Sequence, residues 1–222
     1  MYSATSDAPT VLAMTNHAYF NLNANLHNTP TVLEHTLSMP TATRILEVSG
    51  APDYHLIPTG RIDTIAPGSP HDFVFETKKL GKDIDRGDVS ARGGYDNAWI
   101  FMDDGDGDGV GWKPGGPVRR VATLFSPLTG IGLEMHTDQP SVQVYTGNWL
   151  NGTDPALRIR RKKSQSFGPE PQYYHWRGAV TLEAQMYPDA VHHDNFPSIE
   201  LRPGGRYVQR TSYVFNGGAA KV

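Results

Sequence analysis

Val180-Thr181-Leu182-Glu183-Ala184-Gln185-Met186-Tyr187 alternates without a break. Val180, Leu182, Ala184 and Met186 fall on one side, and Thr181, Glu183, Gln185 and Tyr187 on the other. Successive side chains of a strand point to opposite faces, so this pattern specifies a strand with one face in a core. Glu183 is its one charge. A carboxylate in mid-strand faces either solvent or a polar pocket, because a lone buried charge is costly. Gln185 and Tyr187 share its face.

The same period recurs outward from this strand. Ile131, Leu133 and Met135 alternate within Gly130–His136, and Val142 and Val144 alternate with Gln143 and Tyr145 within Ser141–Tyr145. Arg206 to Phe215 follows a Pro-Gly-Gly turn and reads as a last strand. Further strands are expected over Thr10–Met14, His35–Met39, Arg44–Val48, His71–Phe75, Ala98–Met102 and Val118–Phe125. Twenty-three glycines and 17 prolines interrupt the chain too often for long helices, and no helical period persists beyond two turns. Short strands and frequent turns define an all-β sandwich or barrel. No repeat or linker divides residues 1–222, which are read as one domain.

Composition narrows the function. A net charge of −3 argues against nucleic acid or an anionic membrane as partner. No apolar run reaches membrane-spanning length. The absence of cysteine excludes disulfides, thiol catalysis and zinc–thiolate sites. Residues 1–8 show no signal peptide, so the expected location is the cytoplasm, or secretion if an upstream exon supplies a leader. No oligomeric state is implied.

Two loops attract attention. Asp104-Gly105-Asp106-Gly107-Asp108-Gly109 resembles the start of an EF-hand, but the twelfth position, where calcium needs a bidentate Glu, is Gly115. A solvated insertion is the better reading. The basic run Arg158, Arg160, Arg161, Lys162 and Lys163 sits between glycines and prolines and is read as a solvated loop. His192-His193 lacks a metal-ligand pattern and is read as an exposed pair. No metal or cofactor is expected.

Near the start, Thr15-Asn16-His17 runs into Ala18-Tyr19-Phe20-Asn21-Leu22. Asn16 and His17 either hold a turn through side-chain-to-backbone bonds or supply a reactive group. The amides and aromatics around Glu183, with Gln143 and Tyr145 on another strand, favour a pocket that hydrogen-bonds hydroxyls and stacks on a flat apolar face. Those are the needs of a sugar.

These residues resemble the TNHxYFNL signature of the aldose 1-epimerases, or galactose mutarotases. Ile57-Pro58-Thr59-Gly60, Asp72-Phe73, Gly94-Tyr95-Asp96-Asn97, Gln143–Asn148, Leu182–Ala190, Phe196-Pro197-Ser198 and Leu201–Gly204 follow in the family's order. The resemblance implies a large antiparallel β-sandwich of the galactose mutarotase type that interconverts the α and β anomers of a free aldose. By that resemblance Glu183 is the general base, His17 the general acid, and Asp96 and Gln143 bind hydroxyls. Glu and His, ordinarily near about 4.3 and 6.5, can coexist as base and acid around neutrality. The family also carries N-terminal strands before the TNH motif, with an Asn-Arg pair and a pocket histidine, and this chain lacks them. The expectation is therefore a C-terminal part of the family fold with reduced or no activity alone, or an incomplete gene model. A non-catalytic carbohydrate-binding sandwich and a hexose-6-phosphate 1-epimerase are the alternative readings.

Overall fold

The computed structural model describes residues 1–23, 26–49, 56–86, 93–101, 115–156, 158–163, 166 and 168–217. The Asp104–Gly109 stretch lies outside them. The described chain is almost entirely strand and turn, with a 3₁₀ turn at Ala190–His192. None of its helices is long and apolar enough to cross a membrane.

The strands are β1 (Tyr2–Ala4), β2 (Thr10–Val11), β3 (Tyr19–Phe20), β4 (Thr36–Ser38), β5 (Arg44–Val48), β6 (Pro58–Thr64), β7 (Lys78–Lys79), β8 (Asp96–Ile100), β9 (Arg119–Phe125), β10 (Ile131–Thr137), β11 (Ser141–Tyr145), β12 (Val180–Gln185), β13 (Glu200–Leu201), β14 (Tyr207–Gln209) and β15 (Thr211–Gly217). They form two large antiparallel sheets. One has the order β15-β10-β9-β4-β7 and the other β3-β12-β11-β8-β5-β6. Two small ladders, β1-β14 and β2-β13, complete the described set.

The alternation read on Val180–Tyr187 is what joins the sheets. Val180, Leu182 and Ala184 point inward with Val142 and Val144 of β11 and Trp99 of β8, against Leu37, Leu124, Leu133 and Met135 of the opposing sheet. Burying such side chains contributes about 1.5–3 kcal/mol each, which holds the layers together. A second apolar cluster, built from Leu46, Ala98, Ile100, Tyr187, Ala190 and Phe196, covers part of the outer face of the six-stranded sheet. The polar half of the alternation lies on this same outer face, beside that cluster.

Several expectations need correction. His71–Phe75 is not a strand. The Asp72 carboxylate accepts hydrogen bonds from the amides of Gly68, Val74 and Phe75 at 2.8, 3.1 and 2.9 Å, which coils the backbone into a turn. Thr10–Met14 pairs only at Thr10–Val11. The last strand is broken at Arg210, whose amide and Nε donate to the two carboxylate oxygens of Asp138 at 2.9 and 3.0 Å. That diversion sends β14 to β1 and β15 to β10. The His192-His193 pair is only half exposed as read: His193 is partly buried, packs on the Phe196 ring and lies 3.1 Å from the Pro58 carbonyl. Arg161 is buried, contrary to a solvated loop.

Candidate active site

Strand order decides which polar side chains meet. β11 lies between β8 and β12, with Gln143 opposite Glu183 on one side and Tyr145 opposite Asp96 on the other. Cross-strand neighbours on one face stand within side-chain reach. Asp96, Gln143 and Glu183 therefore line up across three strands. The Gln143 amide donates to Asp96 Oδ1 at 2.8 Å, and the Thr181 hydroxyl donates to Glu183 Oε1 at 2.7 Å.

His17 arrives from outside the sheet. β3 adds to the edge of β12 with Tyr19 opposite Thr181 and Phe20 opposite Val180. Thr15 anchors the preceding residues by donating its hydroxyl to the Ala184 carbonyl at 3.0 Å. Between them the Asn16 side chain accepts the Ala18 amide at 3.0 Å, so Asn16 does hold a turn. The turn projects the His17 ring over β12, where Nε2 lies 3.4 Å from Glu183 Oε1. The two side chains differ sharply in exposure, 51% for His17 and 9% for Glu183. Both contacts to Glu183 fall on Oε1, and Oε2 takes no hydrogen bond from the described residues.

Burial sets the electrostatics. It pushes the Glu183 carboxyl above the ordinary range and the Asp96 charge adds to this, while the Thr181 hydroxyl and His17 pull it back. Asp96 is also raised by burial, against the Gln143 hydrogen bond and His17. Glu183 is thus a stronger base than a solvated carboxylate. Tyr145 is pushed up to about 12, mainly by burial. It accepts the Trp149 amide at 2.9 Å, so its own hydroxyl proton is available to a ligand. The rings of His17, Tyr19 and Tyr145 pack mutually at centroid distances of 5.0, 6.4 and 6.3 Å.

All four site residues expected from the sequence come together here: His17, Asp96, Gln143 and Glu183. The sequence reading missed the supports. Thr181 orients Glu183, and its only signal was the shared face on β12. Arg177 donates to Asp85 Oδ1 at 2.6 Å and to the Gly93 carbonyl, tying down the approach to Asp96. Gly94 is packed against Asn148, whose Oδ1 accepts the Thr146 hydroxyl at 2.7 Å and whose amide donates to the Tyr95 carbonyl at 3.0 Å. A Cβ on Gly94 would fall 1.9 Å from Asn148 Oδ1, and that oxygen is locked. Gly94→Ala is expected to destabilise the fold by about 1–3 kcal/mol, as overpacking does. Thermal unfolding checks the effect.

The model of the aldose 1-epimerase family matches residues 1–214. Galactose mutarotase of Bos taurus is 31% identical over 215 residues, covering 97% of this chain and 53% of that protein. Aldose 1-epimerase of Escherichia coli K12 is 32% identical over 220 residues, covering 96% and 53%. A solved aldose epimerase homologue from C. elegans superposes with a TM-score of 0.69 at 28% identity, covering 97% of this chain and 54% of its own. A galactose 1-epimerase structure from Lactobacillus acidophilus, at 24% identity and TM-score 0.66, shares the fold. The chain spans about half the length of the curated relatives it matches.

Proposed function

The chain belongs to the aldose 1-epimerase family, and on that premise we propose that it interconverts the α and β anomers of a free aldose by acid–base ring opening. One observation carries this reading: a buried carboxylate of raised basicity, Glu183, in contact with a histidine at 3.4 Å. The anomeric hydroxyl and the ring oxygen share one carbon, so an acid and a base this close together can serve both.

In the proposed cycle Glu183 takes the proton of the anomeric hydroxyl, and protonated His17 gives one to the ring oxygen. The bond from C1 to the ring oxygen breaks and its electron pair stays on that oxygen. The anomeric oxygen becomes the aldehyde carbonyl. After rotation about C1–C2 the ring hydroxyl attacks the other face, returning its proton to His17 as Glu183 protonates the carbonyl oxygen. Both residues end as they began. Asp96 and Gln143 hold sugar hydroxyls, their mutual hydrogen bond fixing the direction of each. Tyr19 and Tyr145 flank the ring.

Exchange spectroscopy by NMR on glucose and galactose tests the proposal: exchange between anomers accelerated by the protein is expected, whereas binding without exchange marks a sugar-binding sandwich instead. His17→Gln is expected to slow exchange by about 10²-fold, the low end for a positioned acid. The exposure of His17 admits solvent acids in its place, so added imidazole should restore part of the rate.

A further inference from the structure

The basic run 158–163 has no part in the sugar site, yet one of its members is not solvated. Arg161 is only 7% exposed. It is held there by a short antiparallel contact, with its amide donating to the Gln172 carbonyl at 2.7 Å and the Tyr174 amide donating to the Ile159 carbonyl at 2.9 Å. Nη2 donates to the Leu26 carbonyl at 2.9 Å and Nη1 to the Gln172 side-chain oxygen at 3.5 Å. Nε is buried without a hydrogen-bond partner among the described residues, and no described carboxylate lies within ion-pairing distance.

Arg161 lines a cavity of about 700 Å³ together with His27, Gln172, Tyr173, His175 and Trp176. None of the described lining residues is acidic. Arg158 adds a second cation behind one wall, its guanidinium 4.9 Å from the Tyr173 ring centroid. A guanidinium withdrawn from water without a counter-anion is an expensive arrangement. It becomes favourable when an anion fills the space, because planar donor pairs match phosphate and carboxylate oxygens.

We infer that this cavity binds an oxyanion, a phosphate or carboxylate group, with Arg161 as its cation. The site is separate from the His17–Glu183 pair and does not depend on its chemistry. His175 reports on it: burial and the Arg161 charge hold its imidazole below the ordinary range, so an anion beside Arg161 relieves part of that depression. The cavity is much larger than a bare oxyanion. Cavities of several hundred Å³ take whole small molecules, and the Trp176 and Tyr173 rings offer flat surfaces for the rest of one.

The test is an NMR titration of His175 at constant ionic strength with chloride replaced by inorganic phosphate. A saturable upward shift of the His175 pKa is expected, and about tenfold or greater loss of phosphate affinity in Arg161→Met. Lys162→Met, at an exposed neighbour, should leave the affinity unchanged. An unmoved His175, or an unaltered phosphate titration in folded Arg161→Met, overturns the inference. If circular dichroism finds Arg161→Met unfolded, the wild-type His175 response decides alone. Glucose 6-phosphate binding tighter than phosphate places the anion on a sugar, and equal binding places it free in solution. Glucose shifting His175 as strongly as glucose 6-phosphate would falsify the anionic assignment.

Discussion

Glu183→Gln is expected to lower anomer exchange by about 10²–10⁴-fold, the range for loss of a positioned base, and to make the protein more stable at neutral pH. The substitution is nearly isosteric, and the Thr181 hydroxyl can still donate to the amide oxygen as it now donates to Oε1 at 2.7 Å. What disappears is the charge. Because burial raises the Glu183 pKa in the folded state, the folded protein binds its proton more tightly than the unfolded chain does. The stability from that proton is fully present below the unfolded pKa and is lost as pH rises through the raised folded value. At neutral pH the wild type therefore carries an ionised carboxylate in a site that disfavours it, and the glutamine does not. Melting curves should show Glu183→Gln above wild type at neutral pH, with the gap closing in acid. The same shift moves the acid limb of the wild-type pH–rate profile above the range of an ordinary glutamate. Polarimetry on galactose follows the rate. An unchanged rate in the variant removes Glu183 from the role of base.

What the sequence reveals about the site, and what it hides, follows from the range of the interactions. β10, β11 and β12 are legible because one face of each is apolar, and their polar faces could be written down residue by residue. That Gln143 meets Glu183 on one side and Asp96 on the other depends on β11 lying between β8 and β12, a non-local choice that no periodicity within a strand contains. β3 is two residues long, and it exists because β12 offers an edge to it. The failures are of the same kind. His71–Phe75 loses its strand to the side chain of Asp72, and Arg206–Phe215 is divided because Asp138, far away in sequence, captures Arg210. Arg161 resembles its solvated neighbours until Leu26 and Gln172, distant from each other in sequence, take its side-chain and backbone hydrogen bonds. Charge patterning has no means of separating a buried arginine from an exposed one.

Trp99→Ala should be the most destabilising single change, because Trp99 braces from behind the strand that presents Asp96. Trp99 and Asp96 lie on opposite faces of β8, the first fully buried between the sheets and the second in the site. Trp99 pairs with Val142 on β11 and Ile45 on β5, and its ring packs on Phe73 and Tyr95 at centroid distances of 5.8 and 5.9 Å. Its indole N–H donates to the His71 carbonyl at 3.0 Å, holding the very segment that Asp72 coils into a turn. Alanine removes the ring and leaves a cavity where β5, β8 and β11 join. Large aromatic-to-alanine changes cost about 3–5 kcal/mol. In a chain of this size each kcal/mol lowers Tm by about 2–4 °C, so a fall of roughly 6–20 °C is expected by calorimetry. Trp99→Phe keeps a ring in most of the gap and gives up the bond to His71 with part of the packing, so its loss should be smaller than that of alanine. Because the Gln143–Asp96 hydrogen bond spans the same β8–β11 seam, the alanine variant should also bind galactose more weakly at temperatures where it is still folded. Wild-type affinity in that folded variant would mean that the core face and the sugar face of the sheet are mechanically independent.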